Sequence, residues 1–408
     1  MINPKTKQRE LAYVAKIDRI EPIEGSDNCE SAVVGGWHIM TKKNTFKAGD
    51  LAVYFEIDSK VPEIPLYDFL IHKHYKIKTQ KYTFGGKGNF ISQGLLMSFS
   101  DFGWEANKYE EGTPLTEELG VTYAIADDNK RKSNIDKYSK MRQRRADLFK
   151  KSKLVRWLYK RTWGKKLLFI FIGRKSDNKA SFWPYWVVKT DEERVQNLPN
   201  LFPPDNTEWF VTEKIDGTST TFTYKHNKIK KDEFYVCSRN VCFDRPEKIN
   251  NRCYYDENVY MEMADKYNMD YILEVLFTTF KEDYCEDIDF VTIQGETYGA
   301  GVQKKTYGLS GHDLKVFNLI IGNTKTGYKK RFNPREMTDI LTVYGLPCVP
   351  ILEEHFILPN SIEEMVSYAD GMSVVDPGSI REGVVLRTAD GVNSFKAVSN
   401  KYLIEKGE

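Results

Sequence analysis

An α+β protein is predicted, with a small closed β-barrel at the N-terminus and a larger domain of antiparallel or mixed sheets after it. Three observations predict it. Short runs rich in β-branched and aromatic residues recur at roughly even spacing between residues 9 and about 120. From about 182 to 408 strand-like runs continue, but without the regular βαβ repeats of a parallel-sheet fold. Between the two lies a stretch whose charge matches neither flank.

The first region opens with Leu11-Ala12-Tyr13-Val14-Ala15-Lys16-Ile17, followed by a polar turn from Glu21 to Asp27. Ser31 to Met40 and Leu51 to Ile57 read as strands separated by Ala48-Gly49-Asp50, and a later pair surrounds Ile91 to Met97. Among small barrels the OB fold is the leading candidate, and such a domain can bind nucleic acid. After the charged stretch, Phe182-Trp183-Pro184-Tyr185-Trp186 leads into Lys189-Thr190-Asp191-Glu192-Glu193-Arg194-Val195-Gln196-Asn197. The expected divisions are 1–125 for the OB-like barrel, 126–181 for a basic helical linker or insert, and 182–408 for the second domain. No Walker loop and no G-x-G-x-x-G occurs, so a P-loop or Rossmann nucleotide site is not expected.

The chain's 408 residues, 41% hydrophobic and 29% charged, describe an ordinary soluble protein with material for two or three domains. Its longest apolar run, Leu167 to Ile172, is too short to cross a bilayer, and nothing at the start resembles a signal peptide. No membrane association and a cytoplasmic location are therefore expected. The six cysteines form no disulfide framework. Cys237, Cys242 and Cys253 lie near one another but match no zinc spacing, so reduced, partly buried thiols are the expectation.

A net charge of +2 conceals an asymmetry. From Lys130 to Lys179 there are 19 Lys and Arg against three Asp, a local charge of +16 that leaves −14 on the remainder. Tyr138, Phe149, Trp157, Tyr159 and Trp163 are interleaved with those cations, and Ile135, Tyr138, Met141, Leu148, Val155 and Leu158 fit a gapped helical stripe. A solvated helical linker and a phosphate-binding surface are compatible readings of this block, and contact with nucleic acid is expected.

The chemistry centres on Glu213-Lys214-Ile215-Asp216-Gly217-Thr218-Ser219. Trp209 to Thr212 and Thr220 to Tyr224 read as strands on either side, and Asp216-Gly217 is a turn signal, since Gly accepts positive φ at little cost. Lys214 at that bend is a candidate nucleophile if its environment makes the neutral amine accessible. A free ammonium with a pKa of about 10.4 is deprotonated only roughly one part in a thousand near neutrality. Partial burial, a nearby cation or a bound metal ion would be needed to change that.

Further segments stand downstream in strand-like contexts: Ser238-Arg239-Asn240, Val291 to Gly299 with Glu296 ending an apolar run, Lys315 to Leu319, Arg381 to Arg387, and Ser394 to Val398. In this order and spacing they resemble the covalent nucleotidyltransferases, that is ATP-dependent ligases and RNA capping enzymes. The RNA ligase 2-like branch is the best match. The Lys189-to-Asn197 and Ser394-to-Ser399 segments resemble RNA ligases, and an OB-like domain ahead of the catalytic one is similar to the ligases that seal nicks.

That resemblance implies roles. Lys214 would attack the α-phosphorus of ATP and hold AMP. Asp216 and Glu382 would position a hydrated Mg²⁺ or Mn²⁺. Glu296 would accept from the ribose, Phe317 would stack on adenine, Arg239 would lie near ribose and phosphate, Lys396 would contact the α-phosphate and Arg194 the γ-phosphate. Main-chain groups of Glu213 would read adenine. Some relatives carry a second lysine at the place of Val398, for which Lys401 is a candidate substitute. The implied activity is sealing of RNA 3′-hydroxyl and 5′-phosphate ends, in a nicked duplex or a broken RNA, by a monomer. A DNA ligase or a capping-type guanylyltransferase would share the chassis, and a non-catalytic RNA-binding protein would have no use for the carboxylates and lysines.

Overall fold

The computed structural model describes residues 2–3, 9–84, 88–105, 108–124, 180–181, 183–229, 231–243, 258–283, 287–303, 305 and 307–406. The basic block 130–179, with its expected helix and nucleic-acid contact, lies outside the described residues, as do Cys253 and the apolar run at 167–172. The chain divides into two compact units, one of Met1–Ala124, Phe182–Cys242 and Val259–Glu408, the other of Ile125–Ser181 and Phe243–Asn258. The first unit carries the N-terminal strands and the sheets on either side of Lys214.

The strands expected near the N-terminus are present, except that the run Ser31 to Met40 is two strands, Cys29–Val34 and Trp37–Lys42, paired across a turn at Gly35-Gly36 where both glycines have positive φ. Ala12–Lys16 and Leu95–Met97 flank Leu51–Phe55 in an antiparallel sheet, with Val14 opposite Val53 and Leu96 opposite Tyr54. A second antiparallel ladder joins Arg19–Pro22, Cys29–Val34 and Trp37–Lys42. The chain passes from one ladder to the other at Ile17-Asp18, where the Ile17 N–H donates to the Asp50 carbonyl (2.9 Å) and the Asp18 N–H to the Val33 carbonyl (2.8 Å). Among the described residues the expected closed barrel is not one continuous ladder but separate sheets meeting at such corners. The reason is two-sided burial. Tyr13, Ala15, Ala52 and Tyr54 pack with Trp37 and Ile39, whereas Ala12, Val14, Val53 and Phe55 pack with Tyr67, Leu70, Phe99 and Leu115. Side chains alternate along a strand, so the first sheet lies between two apolar clusters and not at the wall of one.

Two sheets build the larger domain. One runs in the order Glu193–Arg194, Ser394–Val398, Gly383–Thr388, Glu208–Lys214, Ile351–Ile357, with its first pair parallel and the rest antiparallel. Trp209, Val211, Val384, Leu386 and Phe395 form its core with Met365, Val366 and Ala369 of the helix Ile362–Ala369. The other includes, in order, Glu233–Ser238, Thr218–Lys225, Phe290–Gly299, His312–Gly322 and Lys329–Arg331, all antiparallel. The helix Met269–Asp283 buries Ile272, Leu273, Leu276, Phe277 and Phe280, a stripe of helical period. The mixed and antiparallel sheets are as the sequence predicts.

Candidate active site

The two strands flanking Lys214 belong to different sheets. Glu208–Lys214 is an inner strand of one, Thr218–Lys225 an inner strand of the other, and Ile215-Asp216-Gly217 bridges them. The turn reading of Asp216-Gly217 therefore needs correction. Gly217 is not among the residues of positive φ; what excludes a side chain is proximity, because a Cβ there would lie 2.3 Å from the Thr297 carbonyl oxygen. The peptide after Asp216 is pressed onto the neighbouring strand, and glycine alone allows that approach.

The nine candidate residues, scattered over some two hundred positions of sequence, line one cavity of about 680 Å³: Arg194, Glu213, Lys214, Asp216, Arg239, Glu296, Phe317, Glu382 and Lys396. Strand register explains much of this. Lys214 lies opposite Gly383, the residue after Glu382, and Arg194 pairs with Lys396. Ser219, one residue into the next strand, lies opposite Glu296.

Lys214 Nζ donates to Glu382 Oε2 at 2.7 Å. Burial pulls the amine's pKa down, but Glu382 and then Glu296 more than compensate, leaving it above its ordinary value. The site by itself thus holds a protonated lysine. Glu296 shows the converse: burial, reinforced by Glu382 and Asp216 against the opposing pull of Lys214, pushes its carboxyl up to about 8. Lys396 is lowered to about 8 by burial and by the cations of Arg194 and Lys214. Arg194 is lowered by burial, and its Nη1 is buried without a hydrogen-bond partner among the described residues, with the guanidinium 5.8 Å from the centre of the Trp37 ring.

Arg239 is more open. Its guanidinium is 60% exposed and pairs with Asp191 at 2.6 Å. Phe317 packs against the buried cluster of Ile215, Tyr298, Tyr307 and Val349, and its carbonyl accepts from Arg387 Nη1 (2.9 Å). Buried Arg387 also binds Glu192 (3.1 Å), whose other oxygen accepts from Ser394 Oγ (2.5 Å), so the Lys189-to-Asn197 segment is fixed to the cavity wall. Glu213 makes bonds that the sequence reading did not anticipate. Its N–H donates to the Pro350 carbonyl (3.0 Å), and its carboxylate accepts from Ser373 Oγ (2.5 Å) and the Val374 N–H (2.8 Å). It holds the loop before Glu382 in place.

Several cavity residues escaped the sequence reading. Arg9, Asp58 and Tyr123 reach it from the N-terminal region, and Tyr402 and Lys406 from the helix Asn400–Lys406. No local pattern marks the first three; the last two stand four apart on a helix, a spacing that places them on one face. Lys401 does not take the place of a lysine at 398. It is 66% exposed beside Asp370 (3.7 Å), while Val398 is buried against Ile91 and Leu403. Cys237 and Cys242 are buried free thiols, with Cys237 pushed up by its hydrogen bond to Cys242.

Among the described residues no three His, Cys, Asp or Glu converge closely enough to ligate a bare metal ion. The oxygen donors of Asp216 and Glu382, which both line the cavity, fit in kind a hard divalent cation that keeps most of its water. A nucleophile, carboxylates and convergent cations in one cleft can transfer a phosphoryl-linked group.

The chain has counterparts among known proteins. An OB-fold domain family matches residues 11–98, and the RNA ligase family matches residues 207–402. Among solved structures, the Naegleria gruberi RNA ligase with pyrophosphate is 25% identical, with a TM-score of 0.64 over 98% of this chain and 99% of that one. A variant of that ligase with ATP and Mn gives 25% identity and 0.65 over the same shares, and another with AMP and Mn gives 26% and 0.64. No curated protein sequence matches the chain.

Proposed function

The chain belongs to the RNA ligase family, and from that premise we propose that Lys214 is the residue through which it joins RNA ends at the expense of ATP. The observation carrying this assignment is the convergence of all nine candidates on one cavity with the lysine amine at a carboxylate. The neutral amine of Lys214 attacks the α-phosphorus, a P–N bond forms, the bond to the bridging oxygen breaks, pyrophosphate leaves and the nitrogen gives up one proton to solvent. A 5′-phosphate oxygen of RNA then displaces Lys214 from the adenylyl phosphorus, giving an RNA-adenylate. Finally the 3′-hydroxyl attacks the RNA phosphate, loses its proton and expels AMP.

Each side chain has a task suited to its surroundings. Glu382 accepts the Lys214 ammonium at rest and must release it for attack. A divalent cation held by Asp216 and Glu382 would favour the neutral amine and offset charge on the phosphate. Phe317 offers a face for adenine and Glu296 an acceptor for ribose, while Lys396 and Arg194 meet α- and γ-phosphates as charges whose solvation has already been stripped by burial. The solved complexes with ATP, AMP, pyrophosphate and Mn support ATP and a divalent metal as this chain's requirements. No helix among the described residues is long and apolar enough to span a membrane, and buried free thiols at Cys237 and Cys242 fit a reducing compartment such as the cytoplasm. We take the substrate to be a nicked duplex or a broken RNA, the active form to be a monomer, and the functional divisions to be 1–125, 126–181 and 182–408.

Incubation with α-labelled ATP and Mn²⁺ or Mg²⁺ should leave label on the denatured protein, and Lys214→Ala should carry none. Label persisting on the alanine variant overturns the assignment. Running ATP beside GTP, and RNA beside DNA 3′-ends, separates RNA sealing from DNA ligation and capping.

A further inference from the structure

Asp216 is gripped by side chains to which the adenylation chemistry gives no task. Tyr402 Oη donates to Asp216 Oδ2 at 2.5 Å, and Lys406 Nζ sits 3.1 Å from both carboxylate oxygens. The Asp216 and Lys406 side chains are only 6% and 9% exposed. The Asp216 N–H donates to Tyr307 Oη at 2.7 Å, so backbone and carboxylate are both fixed. Two of these partners come from one helical turn of Asn400–Lys406, and that helix is docked independently of them. Leu403 and Ile404 pack with Ile91 and Val398, and the Ile404 carbonyl accepts from Lys81 Nζ at 2.6 Å.

That independence matters. Burying an ion pair costs desolvation that its attraction scarcely repays, so apolar residues of similar size would anchor the helix as well or better. The Lys406–Asp216 pair is therefore poorly explained as a fastening. Its specific effect falls on the carboxylate: an equidistant ammonium and a phenol on one oxygen define its rotation and balance its charge, on a residue that lines the cavity.

We propose that Tyr402 and Lys406 are positioning residues that hold the Asp216 carboxylate oriented and charge-balanced toward the metal side of the adenylation cavity. The proposal rests on the assignment of Lys214 as nucleophile and of Asp216 to the metal. Removing the ammonium leaves a buried carboxylate without its cation, which strengthens its attraction for a divalent ion while loosening its geometry. Affinity for metal and competence in catalysis should thus move in opposite directions, which a plain loss of packing would not produce.

The test uses the full chain as wild type, Tyr402→Phe, Lys406→Met and Lys406→Arg, titrated with MnCl₂. Two quantities are read: the rise in melting temperature caused by manganese without ATP, and the rate of covalent labelling with ATP at saturating manganese. Lys406→Met should label at least tenfold more slowly yet show a larger manganese-induced rise than wild type. Tyr402→Phe, which retains the ring and its packing, should also label severalfold more slowly, and Lys406→Arg should stay near wild type in both readings. Wild-type labelling rates in both Tyr402→Phe and Lys406→Met overturn the proposal, and so does a manganese-induced rise in Lys406→Met equal to that of wild type. If wild type itself takes no label, the nucleophile assignment fails, while the ATP-free melting series still decides whether Lys406 acts on Asp216.

Discussion

At the scale of single residues, the cavity's charges constrain one another. Lys214 is close enough to Glu382 for its ammonium to be favoured despite burial, while Glu296 is buried without comparable compensation and rises to about 8. A carboxyl whose folded pKa lies above its ordinary value is held protonated by the fold. Its contribution to stability is complete below about 4.5 and is lost as pH rises toward 8. Metal-free wild type should therefore lose melting temperature between pH 5 and 8, and Glu296→Gln, neutral throughout, should lose measurably less; parallel slopes in thermal melts would refute this account. The lysine motif was legible from residue types and order. That Glu213 spends its carboxylate on Ser373 and Val374 was not, because those partners lie in a loop 160 or more positions away that only the folded structure brings to it.

At the scale of elements, the strands were legible and their partnerships less so. Trp209 to Thr212 and Thr220 to Tyr224 read as strands, but their separation into two sheets depends on which neighbours they pair with. Gly217 shows the consequence. A turn signal is local, whereas the 2.3 Å approach to Thr297 exists only once the two sheets are assembled. Gly217→Ala should force the Ile215–Gly217 bridge away from the strand bearing Glu296, costing about 1–3 kcal/mol of stability and lowering covalent labelling. Denaturant melts together with α-labelled ATP check both; an alanine variant with wild-type stability and labelling would show that the approach can relax. The helix Asn400–Lys406 teaches the same lesson, since its Tyr402 and Lys406 acquire a purpose only opposite Asp216.

At the scale of the whole molecule, the N-terminal region is more than an appendage. Arg9, Asp58 and Tyr123 line the same cavity as Lys214, and Ile91 and Lys81 seat the last helix. The charge asymmetry acts over a longer range. A segment carrying +16 in a chain of net +2 is expected to supply phosphate contacts for RNA, apart from the chemistry of adenylation. Replacing Arg142, Arg144, Arg145, Lys150 and Lys151 with glutamine should weaken RNA binding and flatten its dependence on salt, by roughly 0.7 in log–log slope for each single-strand phosphate contact removed. Self-labelling by ATP should persist, and equal loss of both activities would assign the segment a structural role.

The sequence by itself determined the α+β class, the β-rich region ahead of the catalytic domain, and nine of the side chains that line the cavity with the lysine among them. Residue type, order and alternation are local properties, and they survive in a linear string. Only the tertiary structure decided that the first sheet is buried on both faces, that Gly217 is excluded from a side chain by contact, and that a tyrosine and a lysine from the last helix grip Asp216. Those outcomes depend on distances between segments far apart in the chain, which packing sets and no local pattern encodes.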